Sequence, residues 1–459
     1  MAGSQNCKEC TAATETPAAV CRPIHYLGSK LRLIDAIREA VDEVAPAGQT
    51  VCDLFAGSGT VSQALSGTRN VIAVDIQEYS RVLCSALLAP APADVVNATE
   101  FLVGATASEH AQHLAWAIEP LVNHETKVQA AAASGDVAPL CNLLERGSLV
   151  VYERNGQNID DKALLLAMRE ANTRLRKFGL DETAGTLATR YFGGVYFSYR
   201  QAADLDVLGE QIAALPSNQR DIFLAALLST ASETVNTVGN QFAQPIRPRS
   251  SDGRPKPSLS RKVCRDRAVC VMNVYERWLR RYFATPRTNG THEVVRANYH
   301  EALQQLDRRV DVVYADPPYT RDHYSRYYHV LETLCLRDNP DLSTVRIGGK
   351  NQISRGIYRL DRYQSPFCIK SQAPKAFATL FSDVRRMGVP LVLSYSPYDC
   401  EAGARPRLMT IEQILSLAQE HFDYVTVRPA ASIAHSKFNN ATKNKAMSYE
   451  AEVLMVCIP

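Results

Sequence analysis

The sequence predicts an α/β fold whose parallel sheet is interrupted by a large helical insertion. Three observations predict it. Residues 50–54 and 70–76 are short apolar runs separated by a glycine-rich turn and a helical stretch, the pattern of a βαβ unit. A further apolar run, 312–315, reads as a buried strand and ends at an acidic residue, Asp316. The interval from Asp75 to Asp316 is far longer than one crossover helix needs, so another domain must lie inside it.

The composition is that of an ordinary globular protein with room for two or three domains, since 46% of the 459 residues are hydrophobic and 22% are charged. No apolar run approaches the ~20 residues that a membrane span needs. The N-terminus lacks the charged start and apolar core of a secretory signal. We therefore expect no membrane span. We also expect a cytoplasmic protein that acts as a monomer. The net charge of +3 is too small to indicate a partner by itself.

The twelve cysteines are scattered, which indicates a reduced protein and not a disulfide framework. Cys7 and Cys10 form one C-x-x-C, and Cys21 lies further on. Without a second such pair or a histidine pair this spacing is a weak zinc signal, so we predict no metal site and leave the role of these three open. Residues 1–21, rich in Ala, Thr and Glu, predict a disordered tail. Four other cysteines are expected to be small buried hydrophobic residues: Cys52, Cys84, Cys335 and Cys457.

The first motif with chemical content is V-C-D-L-F-A-G-S-G-T at 51–60. Gly57 and Gly59 would let the backbone approach a ligand closely, and the helix behind them begins with unpaired N–H groups. The sequence lacks the third glycine of a dinucleotide fingerprint and the Gly-Lys-Ser/Thr of a phosphate loop, so a small cofactor without phosphate fits better. Asp75, at the end of the second strand, is placed to accept hydrogen bonds from ribose hydroxyls, and Ile76 would cover an adenine face.

The second motif is Asp316-Pro317-Pro318-Tyr319, directly after the strand at 312–315. The exocyclic amine of adenine or cytosine is a weak nucleophile because its lone pair is delocalised into the ring. Two acceptors on its hydrogens, the Asp316 carboxylate and a carbonyl near Pro317, would stabilise the charge that develops as the nitrogen reacts. Prolines have no N–H, so this stretch presents carbonyls, and Tyr319 would stack on the base. The alternative is a plain turn with Tyr319 packed in the core.

Together these motifs resemble those of S-adenosylmethionine-dependent amino-methyltransferases of DNA. Y-L-G-S-K at 26–30 resembles the cofactor motif that precedes the glycine loop in the Dam-like group, the adenine-N6 class. In that group the order is cofactor motif, inserted recognition region, catalytic motif. L-S-Y at 393–395 resembles the strand after the catalytic motif, and the tail 432–459 resembles the closing hairpin. The stretches 191–197 and 236–242 resemble a subgroup of these enzymes.

The resemblance implies a Rossmann-like methyltransferase fold, with a mostly parallel seven-stranded sheet, one antiparallel hairpin strand at an edge and a large, mainly helical insertion. The implied domains are a first methyltransferase part at 22–100, an inserted target-recognition region at 101–285 and a second part at 286–459. Six apolar runs agree with such a sheet: 51–54, 71–74, 312–315, 390–394, 424–428 and 452–458.

The resemblance also implies S-adenosylmethionine as cofactor, double-stranded DNA as partner, and methyl transfer to N6 of an adenine flipped out of the duplex. Asp316, Pro317, Pro318 and Tyr319 would be catalytic. The implied cofactor-binding residues are Tyr26, Lys30, Asp53, Phe55, Gly57, Gly59, Thr60, Asp75, Ile76 and Asn298. Transfer to cytosine N4, or to an amine of RNA or protein, remains open. So does the presence of a cognate restriction or defence system.

Basic segments indicate where DNA phosphates would be contacted. Residues 245–267 hold eight basic and two acidic residues among several prolines, and we predict an exposed loop that releases counterions on meeting phosphates. A solvated loop without a partner is the alternative. A second loop with three lysines lies at 436–445. Aromatic residues interleaved with cations at 320–329 suit stacking and phosphate contact around an extruded base.

Overall fold

The computed structural model describes residues 22–26, 28–89, 96–155, 159–288, 290–306, 308–321, 324–396, 407–430 and 452–459. The predictions for the tail 1–21, with its three cysteines, and for the loop 436–445 fall outside these residues. Within the described part the strands are β1 (Thr50–Asp53), β2 (Asn70–Asp75), β3 (His292–Arg296), β4 (Val312–Ala315), β5 (Thr344–Ile347), β6 (Lys350–Ile353), β7 (Leu391–Tyr395), β8 (Tyr424–Pro429) and β9 (Val453–Ile458).

Seven of these strands form one sheet in the order β3-β2-β1-β4-β7-β9-β8. The first five are parallel, and β9 is antiparallel to both of its neighbours. β1 pairs with β4 at Val51↔Val312 and Asp53↔Tyr314, so the strand order reverses between these two central strands. The mostly parallel seven-stranded sheet is therefore confirmed. The antiparallel strand was expected at an edge, but β9 lies one position inside it, between β7 and β8. Ligands of open α/β sheets bind at such a reversal of strand order, outside the carboxyl ends of the strands.

Six of the strands lie within one or two residues of the apolar runs in the sequence. The edge strand β3 does not follow from such a run, because its sequence, H-E-V-V-R, is half-buried along most of its length and includes charged residues. The β5–β6 hairpin, outside the main sheet, is likewise too polar to be found by that criterion. Its turn uses Gly348 and Gly349, both at positive φ.

Helices cover both faces of the sheet and build the insertion. The first part of the sheet carries α1 (Ile34–Val44), α2 (Thr60–Ser66) and α3 (Glu78–Leu88). The insertion contains α4 (Ala98–Ala107), α5 (Glu109–Ala133), α6 (Ala138–Arg146), α7 (Leu149–Asn155), α8 (Lys162–Lys177), α9 (Tyr199–Ala213), α10 (Ser217–Thr234), α11 (Leu259–Arg267) and α12 (Val271–Ala284). The second part carries α13 (Tyr299–Gln305), α14 (Tyr324–Tyr327), α15 (His329–Leu336), α16 (Ala373–Met387) and α17 (Ile411–Gln419).

Short helical turns complete the described part. They are 3₁₀ turns at Lys30–Leu33, Ala184–Thr186 and Pro366–Cys368, and a π-helical turn at Ala188–Phe192. No described helix is long and apolar enough to cross a membrane. Cys52, Cys84 and Cys457 are buried as expected, whereas Cys335 is partly exposed. No group of three or more potential metal ligands occurs among the described residues.

The insertion is mainly helical and shares its apolar core with the sheet-bound helices. One cluster joins Val82 and Leu83 of α3, Leu228 of α10, Leu279 of α12 and Leu331 of α15. The stretch Y-F-G-G-V-Y-F at 191–197 lies in this core, so its aromatic residues have a packing role. The insertion begins after α3 and ends before β3, while its boundaries as a domain stay a prediction.

The segment 245–267 differs from the exposed loop expected of it. Its last nine residues form α11, in which Leu259 and Val263 are buried one turn apart. Arg267, at the end of that helix, is also buried and forms an ion pair of 2.6 Å with Glu125. The basic segment therefore contains two apolar residues that pack a helix against the core. The basic residues that stay exposed are Arg247, Arg254, Lys256, Arg261 and Arg265.

Candidate active site

A cleft opens at the carboxyl edge of the sheet, where β1 and β4 end. It encloses about 910 Å³, including the space at its open mouth, which is within the range of small-molecule and cofactor sites. A smaller cavity of about 300 Å³ lies beside the glycine turn. The two spaces share a wall, formed by Tyr26, Gly28, Lys30, Phe55 and Asp316.

A buried lysine contacts the carboxylate of the Asp-Pro-Pro-Tyr motif. Lys30, only 5% exposed, places its Nζ 3.0 Å from Asp316 Oδ1 and also donates a hydrogen bond to Glu452. Ser394 Oγ donates to the same Glu452 oxygen over 2.8 Å. The Lys30 contact lies outside hydrogen-bond geometry at Asp316, so the buried Oδ1 has an ion-pair partner but no aligned donor among the described residues. The Asp316 side chain is still 19% exposed, so its carboxylate keeps surface toward the cleft where a donor of a ligand could reach it.

Lys30, Asp316 and Glu452 shift one another's pKa values in different directions. Burial lowers the pKa of Lys30, but Asp316 and Glu452 outweigh it and raise the pKa well above its usual value. Lys30 therefore stays a cation. Burial raises the pKa of Asp316, Lys30 lowers it, and the Glu452 carboxylate adds to the rise. One cation between two buried carboxylates leaves the cluster able to take up a proton at Asp316.

Glu452 reaches the cleft because β9 runs antiparallel to its neighbours. The beginning of β9 therefore lies at the carboxyl end of β7, where Val453 pairs with Tyr395. Sequence reasoning missed Glu452, although an acidic residue directly before an apolar strand is a detectable signal. Identifying it as part of the site requires the direction of β9 to be known.

Tyr319 lines the cleft and is half-buried, unlike the core residue of a plain turn. Its ring meets Tyr395 edge-to-face with centroids 5.2 Å apart. The Arg407 guanidinium lies 4.8 Å from the ring centroid and the Lys30 ammonium 5.5 Å from it. Such contacts fix the position of an aromatic ring. Pro318 lines the same cleft, whereas Pro317 is buried behind it.

The glycine turn has the backbone conformation that only glycine adopts readily. Gly57 and Gly59 have φ of +55° and +75°. The Asp75 carboxylate accepts hydrogen bonds from the N–H groups of Gly57 at 3.0 Å and Gln77 at 2.9 Å, which fixes the turn to the end of β2. A Cβ on Gly57 would lie 2.5 Å from the hydroxyl of Tyr26. Since each carboxylate oxygen can accept more than one hydrogen bond, Asp75 keeps acceptor capacity toward the cleft.

The smaller cavity is polar and lacks partners for several of its groups. Asp53 is 1% exposed, and Ser62 Oγ donates to its carboxylate over 2.6 Å. Burial raises the pKa of Asp53 to about 7. Ser29 Oγ and Tyr314 Oη also border this cavity, and both are buried without a hydrogen-bond partner among the described residues. Because buried polar groups normally are hydrogen-bonded, this cavity fits a small ligand that carries both a cation and an acceptor.

Another part of the cleft wall combines aromatic rings with one amide. Phe55 packs against Phe367 and Tyr299, with centroids 5.6 and 5.9 Å apart. Asn298 caps α13 by accepting from the His300 N–H, and its Nδ2 donates to the Tyr363 hydroxyl over 2.9 Å. The amide of Asn298 is thus held in place at the cleft wall.

All but three of the predicted site residues line one of the two cavities. The exceptions, Pro317, Gly57 and Gly59, shape the backbone behind the walls. Thr60 lines the smaller cavity, where its hydroxyl lies 2.8 Å from Ser58 Oγ. The sequence analysis did not assign several lining residues, which belong to segments without a motif: Gln77, Tyr79, Tyr299, Tyr363 and Cys368. Tyr324, from the segment 320–329 for which stacking was predicted, also lines the cleft.

Comparison with known proteins matches this chain to one family. Residues 26–173 and 278–359, about half of the chain, match the family described as D12 class N6 adenine-specific DNA methyltransferase. Over 375 residues the chain is 22% identical to Modification methylase LlaI of Lactococcus lactis subsp. lactis, covering 81% of this chain and 46% of that protein. The chain thus spans about half the length of this curated relative. No solved structure matches. By its family match, the chain belongs to the D12 class N6 adenine-specific DNA methyltransferases.

Proposed function

We propose that this protein transfers a methyl group from S-adenosylmethionine to N6 of an adenine flipped out of double-stranded DNA. The observation that carries the proposal is the Asp316 carboxylate, which is held by Lys30 and keeps 19% of its side chain exposed in a cleft that Tyr319 also lines. An exocyclic amine would donate to this carboxylate, and its ring would stack on Tyr319. Family membership supports adenine in DNA as the target.

The two cavities suit the cofactor. Asp53, Ser29 and Tyr314 would bind its amino-acid end, since that end carries an ammonium and a carboxylate. Asp75 would accept hydrogen bonds from the ribose, and Ile76 would cover the adenine ring of the cofactor. When bound, S-adenosylmethionine supplies a methyl group activated by its positively charged sulfur.

The residues of this chain would contribute position and charge. The Asp316 carboxylate would accept one N6 hydrogen, and the Pro317 carbonyl the other. Lys30 holds Asp316 by its charge and so limits rotation of the carboxylate. Stacking on Tyr319 would offset the few kcal/mol that base flipping costs. As N6 loses its lone pair, its proton becomes acidic and would pass to Asp316, whose pKa burial has raised, or to solvent.

The proposal is tested by expression in a host that lacks DNA methylation, followed by modification-sensitive sequencing of the genomic DNA. N6-methyladenine in one short motif is expected. Asp316→Ala should abolish the modification and keep S-adenosylmethionine binding, because Asp316 would contact the target amine, whereas Asp53 and Asp75 would hold the cofactor. Turnover near wild type in that variant would contradict the assignment.

The same experiment separates the alternatives. Methylated cytosine would assign the enzyme to N4 chemistry. Unmodified DNA from cells whose protein binds S-adenosylmethionine would indicate an amine of RNA or protein as the substrate. The relative's name, a modification methylase, is the reason to search for a companion restriction or defence system. Sedimentation would test the expected monomer.

A further inference from the structure

Two arginines stack on one tyrosine at the wall of the cleft. The guanidinium carbons of Arg326 and Arg362 lie 5.6 and 4.8 Å from the centroid of the Tyr358 ring. Arg326 directly follows Ser325 in α14, and Arg362 directly precedes Tyr363. Both Ser325 and Tyr363 line the cleft. The arginine pair, as we call Arg326 and Arg362, therefore belongs to the segments that form the cleft wall.

The described part of the chain provides no carboxylate within ion-pair distance of the arginine pair, although the charge of Asp361 acts on Arg362. Neither guanidinium forms an ion pair there, and Arg362 Nη1 is buried without a hydrogen-bond partner. Asp361, adjacent in sequence, is already bound to Arg359, with contacts of 3.0 and 3.2 Å. Arg359 in turn is held by a second carboxylate, that of Asp338. The pair is thus left positively charged beside an arginine that is fully neutralised.

A third arginine, Arg247, adds to the positive charge around Tyr358. Burial raises the pKa of Tyr358, whereas Arg326, Arg362 and Arg247 each lower it, so three guanidinium fields converge on one ring. Burial lowers the pKa of Arg362 and the charge of Arg326 lowers it further, whereas Tyr358 and Asp361 partly oppose this shift. The Tyr358 hydroxyl donates to the Ala243 carbonyl, which fixes the ring on which the pair stacks. The cations are consequently held close together on a fixed ring.

Like charges that are held together favour the binding of an anion. The guanidinium fork fits phosphate, to which it can donate two parallel hydrogen bonds. In double-stranded DNA the anion available at this place is a phosphodiester, since the cofactor carries no phosphate. Stacking on Tyr358 orders both side chains beforehand and so reduces the entropy lost on binding.

We propose that Arg326 and Arg362 bind one DNA phosphate at the edge of the cleft, next to the nucleotide whose base enters it. The proposal rests on the function proposed above and adds the residues that hold the substrate backbone. A phosphate fixed beside the cleft would anchor the strand while the base rotates about it.

The test compares the wild type with the double variant Arg326→Gln/Arg362→Gln. The control is Arg280→Gln, which changes an exposed arginine of α12 that is paired with Glu276. Binding of a fluorescent duplex is measured by anisotropy over a range of salt concentrations, and KM is measured on unmethylated genomic DNA. Calorimetry with S-adenosylmethionine and thermal unfolding show whether the double variant keeps its cofactor site and fold.

We expect the double variant to bind duplex DNA roughly 10-fold more weakly, with the slope of log K against log salt reduced by about 1, as for the loss of one phosphate contact. Cofactor affinity and unfolding temperature should match those of the wild type, as should all properties of Arg280→Gln. The double lysine variant keeps the charge without the fork, so it should recover the slope and only part of the affinity.

Different results would contradict the phosphate site and the proposed function on which it rests. A wild-type slope and wild-type KM in the double variant, from an enzyme that methylates DNA, would overturn the phosphate site and leave the function intact. A wild type that binds S-adenosylmethionine but neither binds nor methylates duplex DNA would overturn both. If cofactor affinity and unfolding temperature fall together with DNA binding in the double variant, the arginine pair has a structural role and does not bind phosphate.

Discussion

The buried Asp53 makes the stability of the protein depend on pH in a way that one substitution can isolate. Burial raises the pKa of Asp53 from 3.8 to about 7, against the hydrogen bond from Ser62 that lowers it. A carboxyl group with a raised pKa in the folded state stabilises the fold below its unfolded pKa. That contribution is lost as the pH rises through the folded pKa. Asp53→Asn removes the titration and keeps an oxygen that can accept from Ser62.

The size of the effect follows from the shift. A difference of about 3 pKa units corresponds to about 4 kcal/mol between the fully protonated and fully ionised states. Asp53 is 1% exposed, so solvent screening removes little of it. Between pH 5 and pH 8 the wild type should lose roughly 2–3 kcal/mol of unfolding free energy through Asp53 alone. Asp53→Asn cannot ionise at this position and should lose none of this unfolding free energy. At pH 8 the variant should therefore be more stable than the wild type.

Urea unfolding of both proteins at pH 5 and pH 8, without cofactor, measures the effect. The quantity compared is the difference in unfolding free energy between variant and wild type at each pH. Other titrating groups contribute equally to both proteins and cancel, among them Asp206, whose pKa burial also raises to about 7. The same variant should bind S-adenosylmethionine about 10- to 100-fold more weakly, because a hydrogen bond to a charged acceptor is lost. An equal change in stability at both pH values would refute the argument, since it would mean that Asp53 does not titrate between pH 5 and pH 8 in the folded protein.

Three further substitutions test other parts of the site. Glu452→Gln removes a charge that raises the pKa of Asp316, so the acid limb of the kcat–pH profile should move to lower pH; an unmoved profile would separate Glu452 from the reaction. Gly57→Ala places a methyl group 2.5 Å from a tyrosine hydroxyl at a φ of +55° and should cost about 1–2 kcal/mol in cofactor binding by calorimetry. Gly67→Ala, which meets open space, is its control. Tyr319→Ala should reduce base extrusion, read by 2-aminopurine fluorescence, by about 1–3 kcal/mol, whereas Tyr319→Phe should keep it.

Local physics explains what the sequence could reveal about the site. Asp53, Asp75 and Asp316 each stand at the end of an apolar run, and parallel strands bring such ends to one edge. The glycine turn was equally visible, because a positive φ at Gly57 and Gly59 demands that residue type. Predictions of this kind need only the residues within one supersecondary unit.

What escaped prediction depends on contacts between distant segments. Glu452 lies in the site only because β9 reverses direction, and it meets Lys30 across 422 residues of sequence. Arg326 and Arg362 approach each other only through Tyr358. In α11 the two apolar positions, four residues apart, were outnumbered by prolines and arginines around them, so composition pointed to a loop where packing produced a helix. Tertiary contacts overrode the local signal there.

The insertion and the cleft are physically linked, although they are separate in sequence. Helix α10 of the insertion packs against α3, which follows Asp75, and against α15, which follows the Asp-Pro-Pro-Tyr motif and α14. Both helices bury apolar residues in the core of the insertion, among them Val82 and Leu331. Removing the insertion would expose these faces to water, so the sheet does not provide a complete core on its own. The sheet edge therefore fixes where Asp75 and Asp316 stand, while the insertion supports the helices that extend from them. A change in the insertion can for this reason alter the cleft without any contact to a reacting atom.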